Sequence, residues 1–152
     1  MRIGRVALVL WAGLISVGAA FGHGGASGVV KERMDVMSDI SRNMKSIGNM
    51  LKGGSVFDPD LVVHAGDAIA AHSGDTLTAL FPEGSDQTPT EASPEIWKNW
   101  PAFSASAENM KAAALALKRV AEAGKDKKEI AGAFGKLAAT CKSCHEVFRI
   151  KK

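Results

Sequence analysis

Cysteine is scarce in this chain: its 152 residues hold two, Cys141 and Cys144. Both fall in one short motif, so no further pair remains for a structural disulfide. Nor is there a second Cys pair to complete a four-ligand zinc site. An excess of one charge is missing as well. Lys and Arg number 19 against 16 Asp and Glu, and two of the basic residues, Arg2 and Arg5, precede the domain proper. The remainder is close to neutral, which excludes the basic footprint of a nucleic-acid binder. Long apolar runs are confined to residues 6–21, and strand-like alternation, internal repeats and low-complexity tracts are absent.

What is present first is an export signal. Arg2 and Arg5 form a basic n-region, Val6 to Phe21 is apolar apart from Ser16, and small residues follow at Gly18, Ala19, Ala20 and Gly22. This is the pattern of a secretory leader. The run is on the short side for a membrane span; an uncleaved anchor is the alternative. Residues 1–22 are assigned to the signal peptide, with cleavage falling between 20 and 26, and residues 27–152 to one domain. Export places that domain in the periplasm, with no membrane segment after cleavage.

Four helical patterns follow. The first runs from about Gly28 to Lys52, with Val30, Met37, Met44 and Leu51 on a seven-residue repeat beside Ile40 and Ile47. Such spacing marks an amphipathic helix, and Gly53-Gly54 ends it. The second starts at Asp58-Pro59, as N-cap and N1, and continues to about Leu80, with Gly66 and Gly74 weakening it. Residues 83–93 form the longest loop. The third begins at Ser93-Pro94-Glu95, carries Ile96, Trp100, Phe103, Ala107, Met110, Ala114, Leu117 and Ala121 as its stripe, and stops at Gly124. Pro101 lies inside it, so a kink near 97–100, or a short helix and a new start at Pro101, is expected. The fourth starts at Asp126, with Glu129 placed for a capping box. Its inner stripe is Ile130, Phe134, Leu137, Cys141, Cys144 and Phe148. The expected fold is an all-α, antiparallel four-helix bundle, a form that holds cofactors between facing helices.

On that last helix stands Cys141-Lys142-Ser143-Cys144-His145. Cys-x-x-Cys-His is the attachment signature of a c-type haem. Two thiols bond the porphyrin vinyl groups and the adjacent imidazole binds iron. Positions i, i+3 and i+4 share one helix face, so Cys141, Cys144 and His145 all address one flat ligand. A thiol–disulfide redox pair wants its first Cys at a helix N-terminus, where the dipole lowers the thiol pKa. This pair follows a long helical pattern instead. The cofactor is therefore one haem c, bound through Cys141 and Cys144, with His145 as proximal ligand.

A haem motif so close to the C-terminus resembles the class II cytochromes c, the cytochrome c′ family. Further segments carry the likeness: Arg33-x-x-x-Met37 with Met44-Lys45-x-Ile47-Gly48, then Leu80 to Ser85, Glu91 to Trp97, and Cys141 to Arg149 with Phe148 in the aromatic position. Pro101 departs from the pattern. The resemblance implies a bundle with its haem exposed at one edge, and two subtypes. One has five-coordinate iron with an apolar distal side chain, binds nitric oxide or carbon monoxide, and is usually a homodimer. The other is six-coordinate, takes a first-helix Met as sixth ligand, and carries electrons.

Met37 matches the distal position and decides between them. A thioether is a recognised haem ligand that raises the potential; flexible Met also fills core space. The reading adopted takes Met37 as ligand in an electron carrier that meets periplasmic redox partner proteins. A gas-binding five-coordinate protein is the alternative. The resemblance also sets Arg33 near a haem propionate, a natural partner for a guanidinium, and Thr90 and Glu91 in a loop approaching a propionate through backbone N–H groups. Glu91 itself would repel a carboxylate. Arg149, four residues after His145, faces the proximal side, where it offsets charge or restricts access. Met34, Met44, Met50, His64 and His72 are assigned to packing or surface, and His23 to the cleavage region. No convergent acid–base pair accompanies the motif, so an enzyme is not expected.

Overall fold

A computed structural model describes residues 25–87 and 89–150. Residues 1–24, which hold the leader and His23, and Thr88, Lys151 and Lys152 lie outside the described residues. Among those described, the helices are α1 (Gly28–Leu51), α2 (Pro59–Ala71), α3 (Asp75–Thr78), α4 (Glu95–Lys98), α5 (Trp100–Glu122) and α6 (Lys127–Phe148). The four long ones make the expected bundle. None of the described helices is long and apolar enough to cross a membrane.

The punctuation follows backbone chemistry. Gly53 and Gly124, at φ +84° and +64°, turn the chain just past α1 and α5. Asp58 opens α2, its side chain accepting from Asp60 N at 3.0 Å and Leu61 N at 3.3 Å. Asp126 accepts from Glu129 N at 2.8 Å, supplying the cap expected at α6. Each such bond satisfies a helix-end donor that has no partner within the helix.

Two elements differ from the sequence reading. The second helix does not continue to Leu80; α2 ends at Ala71 and a single turn, α3, follows. The cause is Gly74, at φ +62°, a conformation that favours glycine. Its N–H leaves the helix ladder to donate to Ala107 O on α5 at 3.2 Å. A Cβ there would sit 2.3 Å from the Glu108 carboxylate, a flexible side-chain end that could move aside, so the positive φ is what calls for glycine. The third helix divides where Pro101 suggested. One turn, α4, precedes Asn99, and α5 starts at Trp100 with the proline in its first turn, where no donor is lost.

The helix α5 is the hub, packed along both α2 and α6, while α1 lies along α2 and meets α6 sparsely. Val62, Ile69, Ala114, Leu117, Ile130 and Leu137 are fully buried at these seams. On α1 the burial is shifted from the expected stripe. Arg33, Ile40, Ile47 and Met50 are buried, whereas Met37, Met44 and Leu51 are half-buried at the edge of the core.

Candidate haem site

The site lies between α1 and the C-terminal half of α6. At one end the two helices touch: a Cβ on Gly48 would stand 3.6 Å from the Phe134 ring. Antiparallel helices keep register, so equal steps from that contact bring residues level. Met37 is eleven residues before Gly48 and His145 eleven after Phe134, about 16 Å along each helix. Met37 thus stands level with the motif, and Arg33 with Arg149. Between them the seam is open. Phe134, Cys141 and Cys144 on α6 and Met37 and Met44 on α1 are all half-buried, their apolar sides packed on the core.

Cys141, Cys144 and His145 lie on one α6 face, as the spacing requires. Both thiols are free, and burial pushes each above its usual pKa. That keeps them protonated and argues against a reactive thiolate pair. The Cys141 Sγ lies 3.6 Å from Leu137 O. His145 is exposed to solvent, yet desolvation and the Arg149 charge hold its imidazole below the usual value, with Glu91 opposing. A neutral imidazole is the form that binds iron. No cluster of three or more His, Cys, Asp or Glu suited to a metal occurs among the described residues.

Arg33 is the buried cation of the site, 4 % exposed. Its terminal nitrogens donate to Ser85, one to the backbone carbonyl and one to Oγ at 3.3 Å. The guanidinium lies 4.8 Å from the Phe81 ring centroid, within cation–π range. Burial lowers its pKa while Asp86 raises it. Nε is buried with no hydrogen-bond partner. An orphaned donor costs about 1–3 kcal/mol, which an acceptor such as a carboxylate would relieve. Ser85 and Phe81 were not singled out as site residues in the sequence. The turn at Gly84 was the available signal, but only the fold shows that it meets Arg33.

The 89–93 loop closes against the end of α6. Ser93 N donates to Phe148 O at 3.0 Å and Ile150 N to Glu91 O at 2.8 Å, forming an isolated antiparallel bridge at Ala92 and Arg149. Thr90 Oγ1 accepts from Ala92 N at 3.1 Å and shapes the turn. The Glu91 carboxylate accepts from Arg149 Nε at 2.7 Å. That pairing answers the expected repulsion, since the acid is neutralised within the protein. Behind the loop, Phe103 packs edge-on to Phe81 at 4.8 Å and Phe148 at 5.4 Å. Trp97 Nε1 donates to Phe81 O and Pro82 O, at 3.0 and 3.1 Å. Phe81, Phe103 and Phe148 are buried, whereas Trp100, placed on the inner stripe by the sequence, is 39 % exposed. The remaining candidates lie apart: His64 is exposed, His72 Nε2 is 3.9 Å from Asp39, and the Met50 sulfur accepts from Asp58 N at 3.3 Å at the far end of α1.

These residues fit a haem c. Two thiols and an imidazole share one face, apolar side chains wall both sides of the seam, and a buried cation keeps an unpartnered N–H.

Comparison with known proteins decides the family. The cytochrome C′ family model matches residues 28–149. The chain belongs to the cytochrome c′ family. It is 40 % identical over 121 residues to cytochrome c′ of Rhodospirillum rubrum, covering 79 % of this chain and 80 % of that protein. It is 30 % identical over 152 residues to cytochrome c-556 of Agrobacterium fabrum, covering 100 % of this chain and 99 % of that protein. Among solved structures, cytochrome c′ of Rhodopseudomonas palustris superposes with a TM-score of 0.76 at 34 % identity, covering 84 % of this chain and 99 % of that one. As a cytochrome c′ the chain carries covalently attached haem c, for which Cys141 and Cys144 are its only cysteines.

Proposed function

We propose that this cytochrome c′ is a periplasmic haem protein whose iron, held by His145, keeps its sixth position open to nitric oxide or carbon monoxide, with Met37 as the apolar filler of the distal side. When bound, the haem supplies a one-electron iron couple and a site for a diatomic gas. The residues do the rest. Cys141 and Cys144 anchor the group to α6, and His145 holds the iron from the proximal side. Arg33 offers its guanidinium to a propionate, and Thr90 and the loop around Glu91 line the same edge.

What supports this reading is the match to the cytochrome C′ family model over residues 28–149 and to relatives named cytochrome c′. Met37 is half-buried with Met44 on the same side of α1, and together they present an apolar wall that offers a gas no hydrogen bond. The cytochrome c′ relatives fit this better than the carrier reading adopted from the sequence. The carrier reading, with Met37 as sixth ligand, is the alternative; relatives named cytochrome c-556 and cytochrome c-554 stand beside those named cytochrome c′.

Met37→Leu separates them, because it removes the thioether and keeps the bulk. On the proposed reading the spectra of the oxidised and reduced variant match the parent, and both proteins respond at once to carbon monoxide. A parent that is low-spin and indifferent to carbon monoxide, turning high-spin only in Met37→Leu, overturns it. The same protein cycling between oxidation states would serve redox partners in the periplasm, and assembly as a homodimer is read from the family resemblance alone.

A further inference from the structure

Two tryptophans are left unused by the haem motif. Trp97 and Trp100 stand three residues apart, and in one unbroken helix they would share a face. The division at Pro101 prevents that. At Asn99 the backbone leaves the helix, at φ −131° and ψ 57°, and Trp100 begins α5 on a new course. Its indole lies 5.5 Å from the Phe103 ring and is 39 % exposed, so it is braced by the core and still open to solvent. With Phe81, Pro82, Glu83 and Trp97 it lines a cavity of about 380 Å³, within the range of small-molecule pockets, about 300–1,000 Å³. Neither thiol lines it, nor does His145 or Met37.

The lining has a definite chemistry. Trp97 Nε1 donates to the carbonyls of Phe81 and Pro82. Its one donor is spent, so Trp97 can offer a ligand only its ring. The Phe81 ring already carries the Arg33 guanidinium at 4.8 Å and serves as backing. Glu83 is exposed and, among the described residues, forms no ion pair. The nearby cations are committed elsewhere, Lys98 to Glu95 at 2.8 Å and Arg33 to Ser85. The cavity therefore joins two indoles to one uncompensated carboxylate and holds no cation of its own.

We infer that this cavity binds a small organic cation of the alkylated-ammonium class, its methyl groups on the indoles and its charge toward the Glu83 carboxylate. Indole is the best aromatic partner for such a cation. A quaternary ammonium has no N–H, so its burial orphans no donor. A neutral apolar ligand would leave Glu83 unanswered, and an anion would be repelled by it.

The test is calorimetric titration of the mature, haem-loaded protein with tetramethylammonium, with choline, and with the neutral alcohol in which carbon replaces the choline nitrogen. Choline should bind about tenfold tighter than the neutral alcohol. Trp100→Ala should weaken choline about tenfold and Trp100→Phe less, because a smaller ring remains. Glu83→Gln should weaken it several-fold and remove most of the salt dependence. The haem spectrum of each variant should match the parent, since none of these residues belongs to the haem motif. Equal binding of the neutral alcohol would mark a merely apolar groove and overturn the inference. So would no binding of either ammonium at millimolar concentration, or an affinity unchanged by both Trp100→Ala and Glu83→Gln. Should Trp100→Ala not mature, Trp100→Phe and Glu83→Gln carry the same test, and parent affinity in both contradicts the assignment.

Discussion

The bundle has a finished seam and an open one. Between α2 and α5 the packing is tight enough that Gly66 is pressed on α5, where a Cβ would lie 3.1 Å from the Lys118 Cβ and 3.2 Å from Ala114 O. Val62, Ile69, Ala114 and Leu117 are fully buried along it. Between α1 and α6 the same kind of apolar residue, Met37, Met44, Phe134, Cys141 and Cys144, is left half-buried. Side chains alone complete the first seam. The second has thiols, an imidazole and an orphaned arginine N–H where a core would have more carbon. Half-burial alone does not mark the site, since Leu61 and Val63 on α2 and Leu115 and Val120 on α5 share it; half-burial beside two free thiols, an imidazole and a buried arginine does.

The largest effect that would sharpen this contrast comes from Cys141→Ser with Cys144→Ser. Covalent attachment is lost, and acidified solvent extracts all haem from the variant; retention of bound haem would break the account. Next is a truncation on the finished seam. Leu117→Ala should cost about 2–5 kcal/mol, measured by denaturant unfolding, and about equally with and without haem. Met44→Ala on the open seam should cost clearly less in the haem-free protein than in the loaded one. Gly66→Val overpacks α2 against α5 and should cost about 1–3 kcal/mol. The smallest change is at a helix end: Asp58→Ala removes the cap of α2 and should cost about 1 kcal/mol, with the haem spectrum unmoved.

Much of this was legible in the chain. The Cys-x-x-Cys-His spacing named the cofactor, and Asp58, Asp126, Gly53 and Gly124 marked helix ends because local chemistry dictates them. Pro101 announced the division of the third helix for the same reason. Where the structure departs, distant contacts decide. Gly74 breaks the second helix by donating to Ala107, thirty-three residues away. The seven-residue stripe on α1 marked an apolar face but not how deeply it is covered, since that depends on what stands opposite. The resemblance assigns Arg33 to a propionate, while its seat on Phe81 and Ser85 is visible only in the fold. The pairing of Glu91 with Arg149 spans fifty-eight positions and leaves no periodic trace.

Amide hydrogen exchange, followed residue by residue in the haem-loaded protein and in the Cys141→Ser, Cys144→Ser variant, tests the open seam most directly. Protection should fall on α1 around 33–44 and on α6 around 137–148 when haem is missing, while α2 and the middle of α5 stay slow. A uniform loss along all four helices, or unchanged protection on α1 and α6, would contradict it.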